Sequence, residues 1–150
     1  MPTVTPVDVY LYEAAKSAAY SEGGGNHITL TTTDGTVDGA TSGDVLIVDL
    51  LGGVCLGDYN ADNDEVVIDI SGVHNLSVTA KNGSGNSAVK LGDIICFDSA
   101  ATPDEINKDN TNGVWFGIAL GTIAAGETAT IPVKLIPGLP AIGKLVQAAT

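Results

Sequence analysis

Two histidines, two cysteines and one run of oxygen-bearing side chains are where this chain could carry chemistry. Nucleophilic catalysis needs a serine or cysteine served by a histidine and an orienting acid. His27 opens a β-branched run and His74 sits in the turn-like stretch Ser71-Gly72-Val73-His74-Asn75, neither inside a local catalytic signature. Cys55 and Cys96 each lie in an apolar, strand-like run and read as buried, reduced thiols. The segment from Asp58 to Glu65 sets oxygen ligands at alternate positions, as a calcium loop begins. Its sixth place is Asn63 where such a loop needs glycine, and its twelfth, Asp69, falls in a strand-like run, so a solvated turn is the better reading. No nucleophile-elbow serine motif, phosphate-cradling glycine loop or His-Glu-x-x-His pair occurs. Eighteen acids would allow paired-carboxylate glycoside chemistry, but aromatics at 5% offer little for a sugar to stack on. The expectation is a protein with no enzymatic activity, no cofactor and no metal.

The elements that would have to position such groups are short and β-like. A chain of 150 residues most simply makes one domain with a real core. With few aromatics, valine, isoleucine, leucine and alanine must fill that core, and the 19 glycines indicate many turns. His27 to Thr33 is a first strand-like run. Ser42-Gly43-Asp44 leads into Val45 to Leu51, an apolar run suited to a strand buried on both faces. Gly52-Gly53 interrupts that run and Val54-Cys55-Leu56 continues it after a bulge. Glu65 to Ile70 alternates, Val73 to Ala80 follows, and Leu91-Gly92-Asp93-Ile94-Ile95-Cys96-Phe97-Asp98 repeats the Gly-Asp lead-in. Thr102 to Asn112 reads as a polar loop with a short helical turn at Pro103 to Ile106. Two closing strands run from Gly113 to Leu120 and from Thr128 to Leu135. In the second, Ala129, Ile131, Val133 and Leu135 alternate with Thr128, Thr130, Pro132 and Lys134. These patterns predict an all-β fold, a small barrel or sandwich of about seven short strands with an extended N-terminal arm.

The ends differ from this body. Residues 1–25 form an arm and glycine hinge: Val7, Val9 and Leu11 alternate with Asp8, Tyr10 and Tyr12, a short helix-prone stretch follows, and Gly23-Gly24-Gly25 makes the joint. Residues 26–136 are the β-rich domain and 137–150 a C-terminal tail. The first residues carry no basic and apolar leader pattern, which predicts assembly in a cytoplasm. No apolar run approaches the ~20 residues of a membrane helix. Six lysines and arginines against eighteen acids give a formal charge of −12, which repels a polyanion and argues against nucleic acid as a partner.

Taken in order, Ser42-Gly43-Asp44-Val45-Leu46-Ile47-Val48, Gly52-Gly53-Val54-Cys55-Leu56, Glu65 to Val73 and Leu91 to Asp98 form a series. It closes with Phe116-Gly117-Ile118-Ala119-Leu120, Ala125-Gly126-Glu127 and Ile131-Pro132-Val133-Lys134-Leu135. The series resembles the phage capsid decoration, or head cement, family, often mislabelled as recombinase-like. That resemblance covers about residues 28–136 and implies a non-enzymatic protein on the outer surface of a phage head. It implies binding to the major capsid protein, bridging of its subunits and a homotrimer at local threefold positions, with no nucleic acid or membrane partner. The expected contacts, to capsid or neighbouring subunit, are Val7, Val9, Tyr10, Leu11 and Tyr12 of the arm and the wet face Thr128, Thr130 and Lys134. The alternatives are a head fibre or host-surface adhesion module on the virion, and a small β-barrel enzyme or ligand binder.

Overall fold

Aliphatic and β-branched runs broken by glycine–aspartate turns fold into eleven strands in a computed structural model that describes residues 27–49 and 51–136. They are β1 (His27–Leu30), β2 (Val45–Val48), β3 (Leu51–Cys55), β4 (Val66–Asp69), β5 (Gly72–Thr79), β6 (Lys81–Asn82), β7 (Gly85–Asn86), β8 (Ile94–Phe97), β9 (Ile106–Asn107), β10 (Val114–Ala119) and β11 (Thr128–Leu135). The described residues contain no helix, so the protein is all-β. A four-stranded antiparallel sheet runs β1-β4-β3-β2 and a five-stranded one runs β5-β11-β10-β8-β9, with β6 and β7 a small separate hairpin. The larger sheet curls into a half-barrel, bringing β9 back towards β5.

Two cores hold the sheets. The concave face of the half-barrel supplies Leu76, Val78, Ile95, Phe116, Ala119, Ile131, Val133 and Leu135, and Val45 and Val54 of the smaller sheet pack into the same cluster. On the other side of the smaller sheet, Leu30, Val37, Cys55, Val66 and Ile68 form a second cluster with Leu46 and Val48 against it. β2 therefore packs on both faces, with Val45 buried and Leu46, Ile47 and Val48 partly buried, less completely than its apolar composition predicts.

The expected bulge between Leu51 and Val54 is instead part of a hairpin. Val48 pairs with Leu51 and Ile47 with Gly52, so the chain reverses at Asp49, whose φ of 52° is the left-handed conformation such tight turns need. Gly52 and Gly53 sit inside β3 and do not break it. A Cβ on Gly53 would lie 2.8 Å from both the Asp69 carbonyl oxygen and Ile68 Cδ1, and one on Gly52 would lie 3.0 Å from Phe116 Cβ. The pair lets β4 and the half-barrel approach the strand closely. Splitting this stretch turns the expected seven strands into eight longer ones plus the three two-residue pieces.

Other boundaries shift for local reasons. β1 stops at Leu30 because Asp34 accepts the Thr31 N–H and hydroxyl, closing a turn where the threonine run suggested more strand. The expected helical turn at Pro103 to Ile106 is absent, and Ile106–Asn107 pairs with β8 instead. Ala129 is exposed, so the buried alternation in β11 begins only at Ile131. Pro132 sits within a paired strand because β10 ends beside it: the ladder stops at Ala119–Val133, and the Pro132 carbonyl accepts the Leu120 N–H.

The two Gly-Asp lead-ins are the same device. Asp44 Oδ2 accepts the Thr41 N–H at 2.8 Å and Asp93 Oδ2 accepts the Lys90 N–H at 2.8 Å. Gly43 and Gly92 have φ of 95° and 93°, which glycine alone adopts without strain. Each glycine N–H reaches a facing strand (Cys55 and Ala119 carbonyls), and each aspartate carbonyl receives the N–H of that same residue. One device thus starts β2 in the smaller sheet and β8 in the larger.

Candidate functional site

The convex face of the half-barrel carries the expected wet positions of the closing strand. Thr128, Thr130 and Lys134 are all exposed. The register of β11 with β5 sets Thr128 opposite Thr79, Thr130 opposite Ser77 and Lys134 opposite Val73. Thr79 and Thr128 share a hydroxyl–hydroxyl hydrogen bond of 2.8 Å. One row crosses four strands, from Val73 through Lys134 and Ile118 to Ile94. Val73 is 53% exposed, and this end of the face is aliphatic around a single ammonium group. The face is therefore hydroxyl-rich at one end and apolar at the other. Beyond Ile94 it closes over Cys96, Trp115 and Ile136, a small cluster on the outer side of the sheet. The buried Trp115 Nε1–H meets no acceptor among the described residues, so Trp115 works here by packing. The arm residues Val7, Val9, Tyr10, Leu11 and Tyr12 lie outside the described residues.

His74 and Asp64 serve as structural anchors. His74 lies within β5, not in a turn, and its Nε2 is 3.0 Å from Asp69 Oδ2, joining the end of β4 to the next strand. Asp64 ties its loop to the first turn: its carboxylate accepts the Thr32 N–H, the Thr32 hydroxyl and the Tyr59 hydroxyl at 2.8–3.0 Å. The bond from the Thr32 backbone N–H, then that from the Tyr59 hydroxyl, holds this carboxyl below the usual range, and the hydrogen bond to Asp64 pushes Tyr59 up. These bonds absorb oxygens that a cation would need, and among the described residues no three His, Cys, Asp or Glu side chains gather around a common metal position. Burial raises Cys55 to about 11, with Asp44 adding to the effect, and raises Cys96 to about 12, with Asp109 and Asp98 adding. Both thiols are buried and unpaired and remain protonated at neutral pH.

Asp93 and Asp109 anchor the loops flanking β8 and β10. Burial opposes ionisation of Asp93, but hydrogen bonds from Lys108 Nζ at 2.7 Å and the Lys90 N–H outweigh it and lower its pKa. Burial likewise opposes ionisation of Asp109, and three donors from Thr111 and Asn112 outweigh it.

The site residues missed by sequence reasoning line a cleft of about 560 Å³ between the two sheets. Val45 and Leu46 of β2 contribute to it, as do Asn75 and Ser77 of β5. Four acids from loops far apart in sequence, Asp38, Asp44, Asp104 and Glu105, complete the lining, and no lysine is among the lining residues. No spacing rule brings these positions together, because the cleft exists only once the sheets have packed.

What these elements define is an all-β scaffold of two sheets packed across a shared core. Thr128, Thr130 and Lys134 lie exposed on one sheet face, an open cleft lies between the sheets, and Asp44, Asp64, Asp93 and Asp109 hold turns and loops in place. The family model of the phage cement proteins matches residues 23–135, which is most of the chain. The chain belongs to the phage cement protein family, a structural family of the phage capsid. No curated protein and no solved structure is significantly similar to it.

Proposed function

We propose that this protein binds the outer surface of a phage head and stabilises it by bridging neighbouring major capsid protein subunits. The observation that carries the reading is the family match over residues 23–135, which contains every described strand from β1 to β11. The exposed face of β11, with Thr128, Thr130 and Lys134, is a contact surface in this account. The arm, through Val7, Val9, Tyr10, Leu11 and Tyr12, reaches to the capsid or to a neighbouring subunit. A homotrimer would present three such surfaces at once, turning modest contacts into avidity through high effective concentration. The formal charge of −12 supports an outward position, because a surface so acidic gains nothing from packaged DNA.

The test uses heads purified without this protein. The full chain should bind them and raise the temperature at which they rupture. Removing residues 1–22 should abolish binding while circular dichroism still reports the folded β body. Undiminished binding by the shortened chain would contradict the role given to the arm.

A further inference from the structure

Two strand edges without partners among the described residues border the same cleft. β2 is the last strand of the smaller sheet and β5 the last strand of the larger, and Val45, Leu46, Asn75 and Ser77 of these two strands line the space of about 560 Å³. Beyond its ladder to β11, β5 makes no backbone hydrogen bond to another described strand between Val73 and Val78. The far end of the cleft is bounded by the Pro103–Ile106 segment, tied to β5 by the bond from the Thr79 hydroxyl to Asp104. A free edge offers unpaired N–H and C=O groups to an incoming extended chain.

The charge lining this space selects what can enter. Asp44 and Asp104 are engaged, the first at the Thr41 turn and the second with Lys81 Nζ at 3.4 Å. Asp38 and Glu105 accept no side-chain hydrogen bond from any described residue, which leaves two uncompensated carboxylates beside an open edge. The chain's own arm is a poor occupant, since its strand-like stretch carries Asp8 and no cation between Thr3 and Tyr12. A second copy of the acidic body is equally ill matched. We infer that an extended segment of a partner protein, with lysine or arginine at alternate positions, docks in this cleft by adding to the free edge of β5. Successive side chains of such a strand point to opposite sides, so alternate cations face the carboxylates. The inference rests on the capsid-binding reading only for the partner's location on the phage head.

The experiment is a nitrogen-15 amide titration of the full chain with a capped octapeptide of alternating valine and lysine, and with its valine–glutamate counterpart. The lysine peptide should shift and protect amides within Val73–Ser77 and leave the far edge at β1 unmoved, and the glutamate peptide should do neither. Replacing both free acids, Asp38→Asn and Glu105→Gln, should weaken the lysine peptide about tenfold, roughly threefold for each exposed charge pair lost. Circular dichroism should match the parent. Equal shifts from both peptides, or no movement of the β5 amides, would overturn the inference. Head binding separates the two ideas: a parent chain that ignores heads removes the capsid reading but leaves the titration decisive. Heads that bind parent and double variant equally, with a silent titration, remove the cleft and spare the capsid reading.

Discussion

At the scale of single residues, three carboxylates are favoured in their ionised form by the donors gathered around them. Asp64, Asp93 and Asp109 are held below the ordinary carboxylate range by the donors around them. A group whose folded pKa is depressed contributes its stability above the unfolded value and loses it as pH falls through the folded one. Lowering pH from 7 also relieves the mutual repulsion of a chain at −12, which acts in the opposite direction. Thermal stability should therefore hold or rise slightly towards about pH 5, then fall once pH drops below about 4. Melting curves by circular dichroism across that range check this, and a midpoint still rising at about pH 3 would contradict it. The sequence reading placed Cys55 and Cys96 correctly, because apolar neighbours on both sides of a cysteine report burial locally. It could not find the partners of His74 or Asp64. The Asp64–Thr32 bond joins residues far apart in the chain, and the His74–Asp69 contact depends on where β4 ends and β5 begins.

At the scale of elements, the repeated Gly-Asp turn is the clearest case of local sequence dictating local structure. Glycine supplies a left-handed φ, aspartate caps the turn, and a facing strand receives the glycine N–H in both sheets. Asp93 adds the bond from Lys108, whose ammonium also donates to the Ala88 carbonyl. Replacing Asp93 by alanine leaves the Lys90 N–H and the half-buried ammonium without that acceptor, a loss of about 1–3 kcal/mol. It should appear as a lower denaturant midpoint with unchanged slope, and an unchanged midpoint would show that the turn does not depend on its aspartate. The Val45–Leu56 stretch shows where such reading fails. Continuous apolar residues suit either one long buried strand or two short ones, and the usual two-residue hairpin signals are missing around Asp49. What decides is packing: Gly52 and Gly53 are small because Phe116 and the Asp69 backbone come close, and both neighbours are distant in sequence.

At the scale of the whole molecule, the all-β class followed from alternation and turn spacing. The curl of the larger sheet, the second core and the cleft arise only from how the sheets meet. Thr128, Thr130 and Lys134 lie exposed on the convex face of the half-barrel, and four acids line the cleft between the sheets. On the proposed function these surfaces would be repeated around a symmetric particle, where many weak contacts add up to avidity. The most direct measurement is a cryo-electron microscopy reconstruction of the phage head with and without this protein. The account predicts β-rich density on the outer surface at local threefold positions, each copy touching more than one major capsid protein subunit and vanishing when the protein is removed. Density on the inner surface, or copies that each touch a single capsid subunit, would contradict it.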